Sequence, residues 1–171
     1  MHARDAILGA IRSAAVPPAP VASSMHAETT SVDLLEQFLR VLADVGGRGV
    51  LLREGQSIDD AMAGIRNQLA ADSPADVLVV RGRFAVAENG AVYVDAADVD
   101  NRADIVRAEH LVLTVSRNAL VPTMHEAMRL MPRDSSCGWF LSGPSKTADI
   151  EQSLVIGAQG ARTLHVLIDG G

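Results

Sequence analysis

Short apolar runs alternate with amphipathic stretches along this 171-residue chain, and that alternation limits the possible folds more than any other feature. The runs have the length and composition of buried strands, and they lie at 50–53, 77–81, 111–116, 138–141 and 164–168. Helical spacing of apolar residues marks 58–70 and 123–131. Alternating strands and helices form parallel sheets through right-handed crossovers. We therefore predict an α/β fold of three layers, an open, mostly parallel sheet with helices on both faces.

Helix ends are marked by capping residues. Ser57 followed by Asp60 predicts the start of the helix at 58–70, and Thr30 with Asp33 resembles a capping box for an earlier helix. Glycines 46 and 47 end that earlier helix.

The first 24 residues predict a helical arm followed by a Pro-rich linker. Residues 4–14 have the pattern of an amphipathic helix, which the prolines that follow cannot continue. The rest, 25–171, is long enough for one well-buried domain and short for two. The arm can dock on its own domain or on a neighbouring subunit, so a homo-oligomer is one expectation.

Residues 84–94 predict a β-hairpin, because apolar residues flank the pair Asn89-Gly90 and both members of such a pair accept positive φ. Glu88 lies directly before this pair. In one interpretation it is an ordinary turn residue. In the other, a carboxylate held on a tight turn projects into a cleft and acts as a nucleophile or base.

A second candidate segment follows the strand that ends at Leu141. We expect a helix near 150–156, capped by Ser145 or Thr147, with Asp149 and Glu151 supporting its first turn. Free N–H groups at such a helix start favour an anion, and the residues that would bind it are Gly143, Ser145, Lys146 and Thr147. A well-capped helix without a ligand is the alternative.

Composition excludes several classes of protein. With 15 basic and 21 acidic residues the net charge is −6, which gives no footprint for nucleic acid or an anionic membrane. The apolar runs fall far short of the ~20 residues needed to span a bilayer. The first residues do not resemble a secretory signal, so the cytoplasm is expected. The five histidines lack metal-ligand spacing, so no metal is predicted, and His165 fits a packed strand position.

The chain has a single cysteine, Cys137. It can form no internal disulfide, and one thiolate cannot hold an iron–sulfur cluster. No Gly-x-Gly-x-x-Gly fingerprint for a dinucleotide is present either. We therefore expect no cofactor in this chain.

Two segments together resemble the lactate-utilisation protein C family, which is built on the LUD domain. Residues 142–151, and most of 152–166, are similar to that family's closing segment. Residues 87–90 are similar to its Ala-Glu-Thr-Gly segment, with Asn89 in place of Thr, whereas the segment after Tyr93 lacks the family's Gly-Pro-Gly-Asn-like loop. The resemblance implies a Rossmann-like fold related to sugar-phosphate isomerases and CoA-transferases.

The resemblance also implies a role in oxidising L-lactate to pyruvate, as a subunit without a cluster in an iron–sulfur-dependent system. The clusters are then expected on partner subunits. The predicted site binds a small carboxylate or a partner surface and consists of Glu88, Asn89, Gly90, Gly143, Ser145, Lys146 and Thr147. We expect its two segments to converge on one rim of the sheet.

Two alternatives remain open. CoA-transferases carry a Ser-Glu-Asn-Gly motif whose glutamate attacks a thioester, and residues 87–90 resemble that motif with the Ser replaced. The chain would then be a stand-alone transferase or isomerase that uses Glu88. A regulatory or scaffold module is the other alternative.

Overall fold

The computed structural model describes residues 3–14, 33–69, 76–135, 137–147, 155–157 and 159–170. The helices in these ranges are α1 (Ala3–Ser13), α2 (Leu34–Asp44), α3 (Ile58–Leu69), α4 (Asp104–Arg107) and α5 (Met124–Leu130). The longer strands are β1 (Arg48–Leu51), β2 (Val77–Arg81), β3 (Phe84–Val86), β4 (Ala91–Asp95) and β5 (His110–Ser116). The others are β6 (Leu120–Val121), β7 (Gly138–Leu141), β8 (Lys146–Thr147), β9 (Val155–Ile156) and β10 (Thr163–Asp169).

The α/β class is confirmed by a parallel sheet in the order β1-β10-β5-β2. β2 has the predicted bounds, whereas β1 begins two residues earlier than the predicted 50–53. β10 lies between β1 and β5, although it is the last strand in sequence, so β1 and β2 form the two edges of the sheet.

A second, mixed sheet has the order β6-β3-β4-β7. The predicted hairpin is confirmed as β3 and β4, which pair antiparallel. β7 also has its predicted bounds, but it pairs antiparallel with β4 rather than joining the parallel sheet. Its side chains explain the choice, since Phe140 lies 5.1 Å from Tyr93 and 6.1 Å from Phe84 between ring centroids, a spacing at which aromatic rings attract.

The main core lies between the two sheets. One face of the parallel sheet meets the mixed sheet and α2, through Leu113, Val166, Val92 and Phe38 among others. Its other face packs on α3 through Val112 and Leu167. α5 covers the outer face of the mixed sheet with Ala127. Helices thus cover both faces of the parallel sheet, and the mixed sheet forms an additional layer.

α2 begins differently from the prediction. Asp33 is itself the N-cap, since its carboxylate accepts the N–H of Leu35 at 2.9 Å, and Thr30 lies outside the described residues. Gly46 ends the helix as predicted, with a φ of 87°. The box of Ser57 and Asp60 is confirmed, because Ser57 Oγ accepts the N–H of Asp60 at 3.1 Å. The predicted arm helix is present as α1, but the division into arm and domain stays a prediction.

The helix predicted near 150–156 is wrong at its carboxyl end. β8 and β9 pair antiparallel there, with Lys146 opposite Ile156, and residues 148–154 lie outside the described ranges. Ser145 and Thr147 therefore do not begin a helix at 146–147. The β-branched residues of β9 favour a strand, and tertiary hydrogen bonds fix the segment in an extended form: Ser145 N–H donates to Ala161 O, and Ser145 O accepts from Gly157 N.

Candidate functional site

The turn at 87–90 and the loop at 142–146 converge, and together they are called the rim below. Ser142 Oγ donates a hydrogen bond to Asn89 O at 2.7 Å, across 53 positions of sequence. The turn joins β3 to β4, and the loop leaves β7, which is paired with β4. The two segments are neighbours because their strands are neighbours in the mixed sheet, not in the parallel sheet as we expected.

The rim lies against the carboxyl end of α2, and two glycines allow that approach. Gly90 has a φ of 66°, and a Cβ there would lie 2.9 Å from the Cα of Leu42. Gly143 has a φ of 74°, and a Cβ there would collide with Val45 O. Lys146 Nζ donates to Val45 O at 2.8 Å, so a cation satisfies a carbonyl at the end of the helix. The rim thus joins α2 to the mixed sheet.

Glu88 holds the start of α5. Its Oε2 accepts the N–H of Met124 at 2.8 Å, in the first turn of the helix whose N-cap is Thr123. Pro122 precedes this cap and accepts a hydrogen bond from Glu88 N at 3.1 Å. A carboxylate at a helix start is stabilised by the helix dipole. The side chain is exposed, so the head group is not buried by this contact.

Asn89 and Gly90 form the predicted tight turn. Asn89 Oδ1 accepts the N–H of Ala91 at 3.1 Å, and Gly90 N donates to Val86 O at 3.0 Å. The asparagine side chain therefore replaces a backbone acceptor, a common role at turns.

The remaining predicted residues are less completely described. Ser145 and Lys146 lie on the rim, and the backbone of Thr147 lies in β8. Asp149 and Glu151, the predicted helix-start residues, lie outside the described residues. The role of all these residues in binding stays a prediction.

Chemically, the rim offers three exposed polar side chains: the cation Lys146 against α2, the carboxylate Glu88 against α5, and the hydroxyl of Ser142. Each already has one hydrogen-bond partner within the chain. A ligand carboxylate can reach Lys146, because a lysine ammonium carries three donors and Val45 O takes one. A polar partner surface suits the same groups.

A buried carboxylate that the sequence did not single out lies on β4. Asp95 is 1% exposed, and its hydrogen bond from Ala97 N–H, followed by weaker contacts that include Arg83, holds its pKa below the usual range. Arg83 also donates to Asp98 at 2.6 Å. These groups satisfy one another, so they stabilise the sheet rather than form a site. Only the three-dimensional pairing of β4 with β3 brings them together.

His165 is confirmed as a packed strand residue, 2% exposed. Within the described ranges, no three His, Cys, Asp or Glu side chains come close enough to hold a metal ion. The prediction that no metal is bound stays a prediction. Among the same residues, none of the helices is both long and apolar enough to cross a membrane.

A sequence model of the LUD domain matches residues 5–168. Lactate utilization protein C of Halalkalibacterium halodurans is 28% identical over 165 residues, which cover 82% of this chain and 71% of that protein. The protein of the same name from a Geobacillus species is 27% identical over 93% of this chain and 76% of its own length. Lactate utilization protein C 1 of Bacillus mycoides is 30% identical over 56% of this chain and 44% of its own length. The chain thus spans about three quarters of two relatives and under half of the third.

A solved structure is similar as well. The crystal structure of a DUF162 family protein from Deinococcus radiodurans matches with a TM-score of 0.53, over 81% of this chain and 97% of that one. At 17% sequence identity this similarity shows the fold alone.

Proposed function

Because this chain belongs to the LUD domain family, we propose that it acts in lactate utilisation, as the cluster-free subunit of an iron–sulfur-dependent system that oxidises L-lactate to pyruvate. The observation that carries the proposal is its similarity to proteins named Lactate utilization protein C, which extends over 82% of the chain in one relative and 93% in another.

The chemistry of the reaction divides the work between subunits. Oxidation of lactate to pyruvate releases electrons, which need a carrier. The chain has one cysteine, Cys137, whereas a cluster takes several thiolates, so the carrier belongs to partner subunits in the cytoplasm. The task left for this chain is binding.

The rim is the proposed binding surface. Lys146 and Glu88 are exposed and of opposite charge, and each is held by a backbone group at a helix end. Such fixed positions reduce the entropy lost on binding a small carboxylate or a polar partner surface. The contact from Glu88 Oε2 to Met124 N–H also favours binding over nucleophilic attack, since it commits one carboxylate oxygen to α5.

Affinity capture of the tagged chain from its native cells, grown on lactate, tests the proposal. We expect mass spectrometry to identify Cys-rich iron–sulfur proteins, and deletion of the gene to stop growth on lactate. Repeated capture without such partners, together with turnover of an acyl-CoA by the purified chain, would instead support a stand-alone transferase.

Variants at Lys146 and Glu88 test whether the rim is the binding surface. Lys146→Gln should reduce recovery of the partners, while Arg53→Gln, which removes an exposed cation outside the rim, should not. Glu88→Gln keeps an oxygen acceptor for α5 but removes the charge, so the binding role predicts weaker recovery of the partners with α5 still held. If Glu88 were a nucleophile, the same change would abolish acyl-CoA turnover.

A further inference from the structure

A groove of about 630 Å³ lies between α2, β1 and α3, and it is called the α2–α3 groove. Its walls include Leu39 of α2 and Ile65 of α3, and its floor includes Gly49 of β1 and His165 of β10. None of the residues that line it belongs to the rim. A concave, largely apolar space of this size suits a small ligand.

Gly64 borders an open part of the groove. It lies in the middle of α3 and lines the groove, where a glycine costs about 0.5–1 kcal/mol of stability relative to alanine. Packing within the described residues does not require it, since a Cβ at this position would meet none of their atoms within 4 Å. The space beside this helix is therefore available to a ligand.

The free edge of β1 offers hydrogen-bonding groups. Leu52 N–H donates to Ile168 O at 2.8 Å, and alternate residues of a strand point the same way. The backbone groups of Gly49 and Leu51 therefore point away from β10, toward the open edge. Since β10 is the strand paired with β1 in the described residues, these groups remain available.

One side chain at the floor has unused capacity. It is not that of His165, which lines the groove but is 2% exposed, and whose Nδ1 is buried without a hydrogen-bond partner among the described residues and out of reach of a ligand in the groove. Arg48 is exposed beside it, and among the described residues no ion pair involves it. One acid, Asp60, also lines the groove; its carboxylate accepts from Ser57 Oγ at 2.7 Å at the start of α3 and keeps its negative charge.

We propose that the α2–α3 groove binds a small organic monoanion with an apolar body. Its carboxylate meets Arg48 at the edge of the sheet, and its apolar part lies over Gly64 between Leu39 and Ile65. The charge of Arg48 selects an anion, and the apolar walls select against one without a hydrocarbon part. This site is independent of the rim, so either proposal can fail without the other.

The test titrates the full chain with 4-methylbenzoate and follows backbone amide shifts by NMR. We expect saturable shifts centred on Gly49, Gly64 and Gln68, and binding about tenfold weaker for the neutral 4-methylbenzamide. Arg48→Gln should weaken the carboxylate about tenfold as well. Because Arg48 is exposed on a strand, this variant keeps the test open even if a groove-filling variant fails to fold.

Gly64→Leu places a side chain in the open space and should abolish the shifts. Gly9→Leu is the matched control, since Gly9 is also a helical glycine whose Cβ would meet no described atom within 4 Å. It lies in α1, outside the groove, and the variant should bind as the wild type does. Absence of saturation, equal binding of the amide, or full binding by Gly64→Leu would overturn the proposal. So would self-association that shields the same amides and is lost in Gly64→Leu, since the occupant would then be a second copy.

Discussion

The rim and the α2–α3 groove border the same helix and differ in how their polar groups and glycines are used. On the rim, Glu88, Ser142 and Lys146 each hold a partner within the chain. In the groove, Arg48 takes part in no ion pair among the described residues, and the same part of the chain leaves open space beside Gly64.

This difference shows that a glycine or a polar residue can have two different roles. At the rim they allow two segments to meet closely, which is a structural task. In the groove the same residue types leave capacity unused, and unused capacity is what a ligand can satisfy. A recognisable sequence motif therefore marks a structural contact between two segments as readily as it marks a ligand-binding site.

The largest expected loss of stability comes from a substitution that tests how closely the rim packs against α2. Gly90→Ala should lower the free energy of unfolding by about 2 to 3 kcal/mol, because a side chain is strained at positive φ and meets the backbone of α2. Urea denaturation measures the change. Gly55→Ala is the control, since Gly55 has a φ of 76° but a Cβ there would meet no atom of the described residues within 4 Å, so this variant isolates the backbone strain. Equal losses in both variants would show that the rim is not tightly packed.

A smaller loss is expected at the contact between the rim and α5. Glu88→Ala should cost about 1 kcal/mol, because it leaves Met124 N–H without its carboxylate acceptor. Glu88→Gln should cost less, since an oxygen remains, and Glu54→Ala, on an exposed turn, serves as the control for loss of a surface carboxylate. No change in thermal unfolding for Glu88→Ala would contradict the capping role and favour the interpretation of Glu88 as a nucleophile.

In the groove, replacing a glycine by alanine should raise stability, whereas on the rim it should lower it. Gly64→Ala should raise the free energy of unfolding by about 0.5–1 kcal/mol, since alanine favours a helix and the space is open. Comparison with Gly90→Ala in the same urea series sharpens the contrast between the two regions. A loss of stability in Gly64→Ala would mean that the space is filled in solution.

The smallest effect is a pH dependence at the groove floor. Burial, then the charges of Arg48 and His110, lower the pKa of His165 below its ordinary value of 6.5. The folded state therefore takes up the proton later than the unfolded state as pH falls. Stability present above pH 6.5 is lost as the pH falls through that value toward the folded-state pKa.

Thermal unfolding measured between pH 7.5 and pH 5, in steps of about half a pH unit, checks the direction of this change in stability. The wild type should lose more stability over this interval than His165→Leu, which has no proton to gain. Since the charge of His110 is one of the causes that lower the pKa of His165, His110→Gln is the control that should keep the difference. Parallel curves for wild type and His165→Leu would show that protonation of His165 does not contribute to the pH dependence of stability.

Local patterns predicted the elements of this fold well where one segment decides its own structure. The Ser57 and Asp60 box, the Asn89-Gly90 turn and the bounds of β2 and β7 depend on neighbours a few residues away. The prediction of a helix near 150–156 failed at its carboxyl end because contacts with other segments determined the structure there. Residues 155–156 pair with 146–147 as strands, and contacts to Ala161 and Gly157 hold Ser145 extended in place of a helix start.

The sequence by itself determined the α/β class, most helix and strand positions, and the family, because hydrophobic periodicity, caps and turn residues act over short distances. The tertiary structure decided that β7 joins the mixed sheet, that Glu88 caps α5, and that Arg48, Gly64 and His165 line one groove. Those three residues lie on separate elements with no common motif. Their meeting depends on which strands become neighbours, which is settled by the packing of the whole core rather than by local spacing.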